Sequence, residues 1–126
     1  MKTTRLLTAF VLSAAACLVH AGGGPRLTGV FSNLEYNEEG GDLLGWEVII
    51  VFGGDRHYAI VQSAEGSPSR PEVVVLAVSG SKISFTLEDG STFSGVIGKR
   101  GIKGSFKHRL GGTEDVLLKR GKSYWQ

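Results

Sequence analysis

The chain is poor in cysteine, because Cys17 is its only one. An internal disulfide is therefore excluded, and a single domain of this size must rely on its hydrophobic core for stability. Proline occurs three times and aromatic residues make up 9% of the chain. After Leu18, no uncharged apolar run approaches the roughly 20 residues of a membrane-spanning helix. These shortages argue against a disulfide scaffold and against a transmembrane span.

The first 21 residues have the pattern of an export signal. Basic residues precede an apolar run over residues 6–18, and Ala21 offers a small side chain at a cleavage point. We expect residues 1–21 to be a cleavable signal peptide and residues 22–126 to form one exported domain, periplasmic or secreted. Cys17 follows three alanines and leaves a second route open, in which a lipid on the cysteine anchors the domain to a membrane.

The charges of the chain are sorted along its length. The formal net charge of +2 disappears with the two basic residues of the signal, so a general affinity for nucleic acid is not expected. Residues 22–72 carry eight acids and three bases, whereas residues 73–126 carry four acids and nine bases. We expect the two halves to attract each other; the alternative is a polar partner steered by one of them.

The domain is predicted to be all-β, because it has no sustained helical period and contains all 19 glycines of the chain, which interrupt it every several residues. Eight short strands joined mostly by tight turns describe an antiparallel up-and-down meander, and eight strands also close a small barrel. The predicted strands cover residues 26–32, 43–52, 56–63, 72–78, 82–88, 91–98, 101–110 and 114–120.

Two hairpins in the second half predict the inside of the barrel. A loop at residues 89–91 would place Leu87 opposite Phe93, and a loop at residues 98–101 would place a glycine opposite a glycine on the inner face. Glycine in a strand marks a bend or a place where something bulky must fit, here the ring of Phe85 or a ligand. The predicted site for a small apolar ligand comprises Phe85, Gly95, Gly104, Phe106 and His108.

Strands two to four have apolar residues on both faces, which is unusual when no helix covers the outside. Their outer side chains are expected either to pack on the chain termini, including Tyr124 and Trp125, or to meet another subunit. The residues predicted to form this interaction surface are Ile49, Val51, Tyr58, Ile60, Val74, Leu76 and Val78.

Chemistry-bearing motifs are few. His57 and His108 are the histidines outside the predicted signal, and their spacing does not provide the three or four ligands of a zinc site. The acidic connection at residues 33–42 lacks the fixed offsets of a calcium loop. We therefore predict no catalytic residue, no metal and no cofactor.

The start and the end of the predicted domain resemble a known group of barrels. Residues 27–31, with glycine two places before an aromatic, resemble the opening of calycin-type barrels such as lipocalins, avidins and avidin-like periplasmic protease inhibitors. Lipocalins also place a basic residue late in the last strand, where Lys119 or Arg120 stands here. The resemblance implies ligand binding inside the barrel or inhibition by an N-terminal arm.

The sequence thus predicts an exported, non-enzymatic binding domain with a small apolar ligand inside the barrel. The alternative is a protein-interaction or inhibitor module that uses the apolar outer face and the long loops, with self-association as one form of it.

Overall fold

The computed structural model describes residues 24–126, so the predicted signal peptide and Cys17 lie outside the described residues. Every regular element in this range is a β-strand. Within it, no helix has the length and apolar character needed to cross a membrane. The strands are β1 (Gly29–Ser32), β2 (Glu35–Asn37), β3 (Asp42–Gly53), β4 (Arg56–Gly66), β5 (Glu72–Val75), β6 (Ala77–Ser79), β7 (Lys82–Thr86), β8 (Thr92–Ile97), β9 (Gly101–Lys107) and β10 (Thr113–Gly121).

The strands form one antiparallel sheet that is nearly closed into a barrel, which confirms the predicted fold class. Their order is β5-β4-β3-β1-β10-β9-β8-β7-β6, with β2 also on β3. β5 and β6 are separated only by Leu76, and they pair with β4 and β7 respectively. A strand interrupted at Leu76 therefore changes partner and brings the two ends of the sheet together. With β1 and β2 counted as another interrupted strand, the predicted number of eight is met.

The acidic connection at residues 33–42 contains a short β-strand, whereas a loop was predicted for the whole segment. Its middle is β2, which continues the pairing of β1 along β3. Asn33 interrupts the strand, and its side-chain oxygen accepts a hydrogen bond from the Trp46 backbone N–H at 2.7 Å. The true turn is at residues 38–41, where the Gly41 N–H donates to the Asn37 carbonyl at 2.7 Å.

The register of the β8–β9 hairpin agrees with the prediction, whereas that of β7–β8 does not. Gly95 lies opposite Gly104 as expected. In the preceding hairpin, however, Phe85 and not Leu87 lies opposite Phe93, so the strands are shifted by two residues. The reason is a five-residue loop at residues 87–91, closed by the Leu87 N–H donating to Ser91 O at 2.8 Å. Because the shift is even, each side chain keeps its face.

The core is filled by aromatic and branched side chains. We expected Phe85 to cover the two glycines, but the ring of Phe93 lies on both of them. Phe93 also packs on Phe85 and Phe106, with ring centroids 4.9 Å and 4.7 Å apart. The narrow floor made by Gly95 and Gly104 therefore holds a side chain of the protein itself.

The contact between Phe93 and Gly104 predicts a severe effect of a single methyl group. A Cβ at Gly104 would clash with the Phe93 ring and would lie 2.6 Å from the Ser94 carbonyl oxygen. We expect Gly104→Ala to lower the free energy of unfolding by about 1–3 kcal/mol through overpacking. Chemical unfolding measures the change.

Gly121→Ala is the matched control, since a Cβ there meets no atom within 4 Å. It should change stability by less than about 0.5 kcal/mol. Equal unfolding midpoints for the two variants would contradict the packing described for Phe93.

Candidate functional surfaces

Four of the five residues predicted to bind a ligand lie together in the barrel interior. Phe85 and Phe106 are buried, with ring centroids 6.1 Å apart, and Gly95 and Gly104 form the floor beneath Phe93. Clefts of 420–650 Å³ lie on the outer wall and at the ends of the barrel. The predicted residues are therefore neighbours, but the space among them is occupied by side chains.

His108 lies at one end of the barrel, close to the position that the sequence indicated. Its ring stacks on Phe106 at 6.5 Å, and its Nε2 lies 3.2 Å from a carboxylate oxygen of Glu114. The other oxygen of Glu114 accepts a hydrogen bond from the Trp46 indole N–H at 3.2 Å. Trp46 in turn stacks on Phe106 at 3.8 Å. Glu114 thus ties the histidine to the aromatic core and covers this end, which we call the Trp46 end.

The opposite end is closed by Arg120, and we call it the Arg120 end. The guanidinium carbon lies 4.6 Å from the centre of the Phe31 ring, a cation–π arrangement. The same group donates to Thr28 O at 3.0 Å, to Gly98 O at 3.4 Å and to Arg26 O. Partial burial and the nearby charge of Arg26 lower the pKa of Arg120, yet an arginine stays protonated.

The outer wall formed by β3, β4 and β5 carries an apolar surface, as predicted, but with different members from β5. Val74 and Leu76 pack in or against the core, so their predicted place on the outer wall is wrong. Val78 faces the same side as the buried Ile83. The sequence of β5 does not indicate which of its side chains face the core, because both faces of the strand carry valine.

The register defines the members of the surface. Ile49 pairs with Ile60 and Ile60 with Val73; in the next row, Val51 pairs with Tyr58 and Tyr58 with Val75. Val73 is 65% exposed and Val75 is 51% exposed. We name this surface the outer apolar face, and it comprises Ile49, Val51, Tyr58, Ile60, Val73 and Val75.

The C-terminal segment, residues 122–126, covers one border of this face. This agrees with the expectation that outer side chains of the face pack on the chain termini. Glu47, which is only 3% exposed, accepts hydrogen bonds from the Ser123 hydroxyl at 2.6 Å and the Tyr124 N–H at 2.8 Å. The Trp125 indole N–H donates to the Gln62 side-chain oxygen at 2.8 Å. Glu47 is not among the residues predicted to form a site, although an acid within an apolar strand was an available signal.

An open cleft of about 420 Å³ remains between the C-terminal segment and the connection at residues 67–71. Its apolar walls come from Ile49, Ile60, Pro68, Pro71 and Trp125. The cleft therefore extends the outer apolar face instead of separating it from the chain terminus.

The expected attraction between the two halves of the chain is not expressed as a direct ion pair between them. Within residues 24–126, the ion pair is Asp55 with Arg56 at 3.1 Å, inside the first half, and the His108 imidazole lies 3.2 Å from a Glu114 oxygen inside the second half. Charge separates along the barrel axis instead. The β2–β3 hairpin at the Trp46 end is acidic, and the turn at residues 98–101 at the Arg120 end is basic.

In residues 24–126, no three His, Asp or Glu side chains converge in a group that could hold a metal ion. No family model, no curated protein and no solved structure matches the chain. The candidate surfaces therefore have to be judged from their own geometry.

The loop at residues 87–91 predicts a specific dependence of stability on pH. Asp89 accepts a hydrogen bond from the Ser91 N–H at 2.8 Å, and this bond, aided by the Ser91 hydroxyl and by His108 and Arg109, lowers the pKa of Asp89. A carboxylate with a lowered pKa stabilises the fold fully above its unfolded value of about 3.9. That contribution is lost as the pH falls through the lower folded-state pKa.

We expect Asp89→Asn to make the acid-induced loss of stability shallower below about pH 4, because the amide keeps the acceptor oxygen but binds no proton there. Chemical unfolding midpoints measured at a series of pH values test this. Parallel curves for the variant and the parent protein would refute it.

Proposed function

We propose that the protein is an exported, non-enzymatic binding domain whose binding surface is the outer apolar face, and that this face binds a second copy of the chain. The observation that carries the proposal is the exposure of Val73 and Val75 beside Val51 and Tyr58 on one uninterrupted sheet surface. Contiguous apolar surface of this kind is typical of sites of association.

The composition of the face favours a second copy as its partner. Its six members carry no charge, so two copies related by a twofold axis would bring no like charges together. The side chains stand in two straight rows across three strands, and five of the six are β-branched. Such rows can interdigitate between two sheets that pack about 10 Å apart.

The interior supports binding less well than the outer wall. Phe93 already lies on Gly95 and Gly104, and Trp46 with Glu114 covers one end while Arg120 covers the other. An apolar ligand would have to displace these rings and open an end. Binding inside the barrel stays a prediction of the sequence, and the geometry favours the outer face over it.

The association is tested by sedimentation of the purified protein over a range of concentrations. We expect a concentration-dependent dimer, and we expect Val73→Lys to make the protein monomeric, because the variant places two like charges in a dry contact. A parent protein that is monomeric at every concentration would contradict the proposal.

Val96→Lys is the matched control for this change. Val96 is 50% exposed on the outer side of β8, outside the outer apolar face. The control should leave the dimer intact and keep the unfolding midpoint of the parent. Val73→Lys should unfold at the midpoint that the parent shows at concentrations where it is monomeric, because only the dimer adds stability by mass action. Loss of the dimer in the control alone would assign the contact to another surface.

Mass spectrometry of the exported protein, after expression of the full chain in cells, tests both the predicted export and the content of the barrel interior. We expect intact-mass spectrometry to show a chain that begins at Gly22, because cleavage after Ala21 fits the signal pattern. Native spectra should show no added small molecule. A lipid on Cys17 would replace this route by a membrane anchor, and a retained apolar compound would favour the interior site.

A further inference from the structure

The Arg120 end of the barrel is a basic surface with almost no acids. It brings together the N-terminal segment at residues 24–28, three turns and the end of β10. The acid among these cations is Asp55, and it forms an ion pair with the neighbouring Arg56 at 3.1 Å. The charged residues of this end include Arg26, Arg56, Lys82, Lys99, Arg100, Lys119, Arg120, Lys122 and Asp55.

Hydrogen bonds of Arg120 hold the backbone segments of four of these cations together, namely those of Arg26, Lys99, Arg100 and Arg120 itself. Arg120 binds the carbonyl oxygens of Arg26, Thr28 and Gly98, so it fixes the N-terminal segment against the turn that carries Lys99 and Arg100. The Arg120 N–H also donates to Arg100 O at 2.8 Å in the same turn. Burial and the charge of Arg26 lower the pKa of Arg120, which agrees with cations crowded together without compensating acids.

An exposed aromatic ring stands on the rim of the same end. Phe52 follows the buried Val48 and Ile50 on the inner side of β3, but it lies beyond the end of the barrel and is 59% exposed. Its ring meets the His57 ring in an edge-to-face arrangement, with centroids 4.9 Å apart. Next along the chain are Gly53, Gly54 and the turn that carries Arg56. The rim thus combines an apolar ring with several basic side chains.

We propose that the Arg120 end docks on the surface of an anionic phospholipid membrane, with Phe52 entering the headgroup region and the basic turns facing the lipid phosphates. Lysine and arginine near an anionic bilayer each strengthen binding, and an aromatic side chain adds apolar contact at the interface. The opposite end carries the acidic hairpin. An anionic membrane therefore attracts the Arg120 end and repels the opposite end, which orients the barrel with the Arg120 end towards the membrane.

A lipid surface accounts for the combination better than a soluble polyanion does. A polyanion is bound by the cations alone, and it leaves the solvent exposure of Phe52 without a role. A single-stranded nucleic acid needs a platform for successive bases, and this rim offers one exposed ring. The separate turns that converge at one end suit a broad surface of distributed charge.

Vesicle co-sedimentation tests the proposal with protein purified after expression of the full chain. We expect binding to vesicles that contain phosphatidylglycerol, weak binding to pure phosphatidylcholine, and loss of binding at high salt. The double variant Lys99→Gln, Arg100→Gln should bind on the order of tenfold more weakly. Phe52→Ser should weaken binding while leaving the salt dependence unchanged.

The double variant Lys107→Gln, Arg109→Gln removes the same charge near the Trp46 end and should bind as the parent does. Unfolding midpoints verify that every variant folds. Equal binding by the two double variants, or no binding to anionic vesicles, would overturn the proposal. Binding to soluble heparin or single-stranded DNA without binding to vesicles would also overturn it, and would assign the surface to a soluble polyanion.

Discussion

The contact of the Phe93 ring with Gly95 and Gly104 is the constraint on which the rest of the structure depends. Without side chains at those two positions, the ring contacts the backbone of both strands, and Phe106 and Phe85 pack on it. The interior of an eight-stranded barrel is just wide enough for side chains or for one small ligand. Here the side chains take that space, so recognition is expected on the outside.

The two ends are closed by different physical means, and this difference gives the molecule its polarity. At one end Trp46 stacks on the core and donates to Glu114, so an acid becomes part of the closure. At the other end the cation of Arg120 stacks on Phe31 and its hydrogen bonds go to backbone carbonyls. Backbone carbonyl oxygens accept the hydrogen bonds of the guanidinium but carry no net negative charge. The positive charge of Arg120 therefore adds to the charges of the neighbouring basic residues. The closure of the barrel therefore helps to create the basic surface.

The sequence predicted the all-β class, the antiparallel meander that nearly closes into a barrel and the β8–β9 register, because alternation and a short glycine turn allow one arrangement. The predicted count of eight strands holds when β1 with β2 and β5 with β6 are each counted as one interrupted strand. The prediction failed where those signals were weak. In β7–β8, loops of three and five residues keep the same faces, so the pattern does not distinguish them. In β5, valines at 73–75 give no alternation, and only pairing with β4 sets their orientation. The role of Glu47 depends on a segment 76 residues away, which no local pattern contains.

The outer apolar face and the basic end lie on different parts of the barrel, the wall and the rim, so occupation of one leaves the other accessible. If the chain forms the proposed dimer, the combined effect of the two surfaces depends on its symmetry. A twofold axis parallel to the barrel axis would turn both basic ends to the same side, and the two would engage one membrane with an effective affinity above that of a single end. A twofold axis perpendicular to it would point the basic ends in opposite directions. The rows of side chains on two twisted sheets can interdigitate at a small angle under either symmetry. The direction of the twofold axis therefore decides whether association strengthens membrane binding.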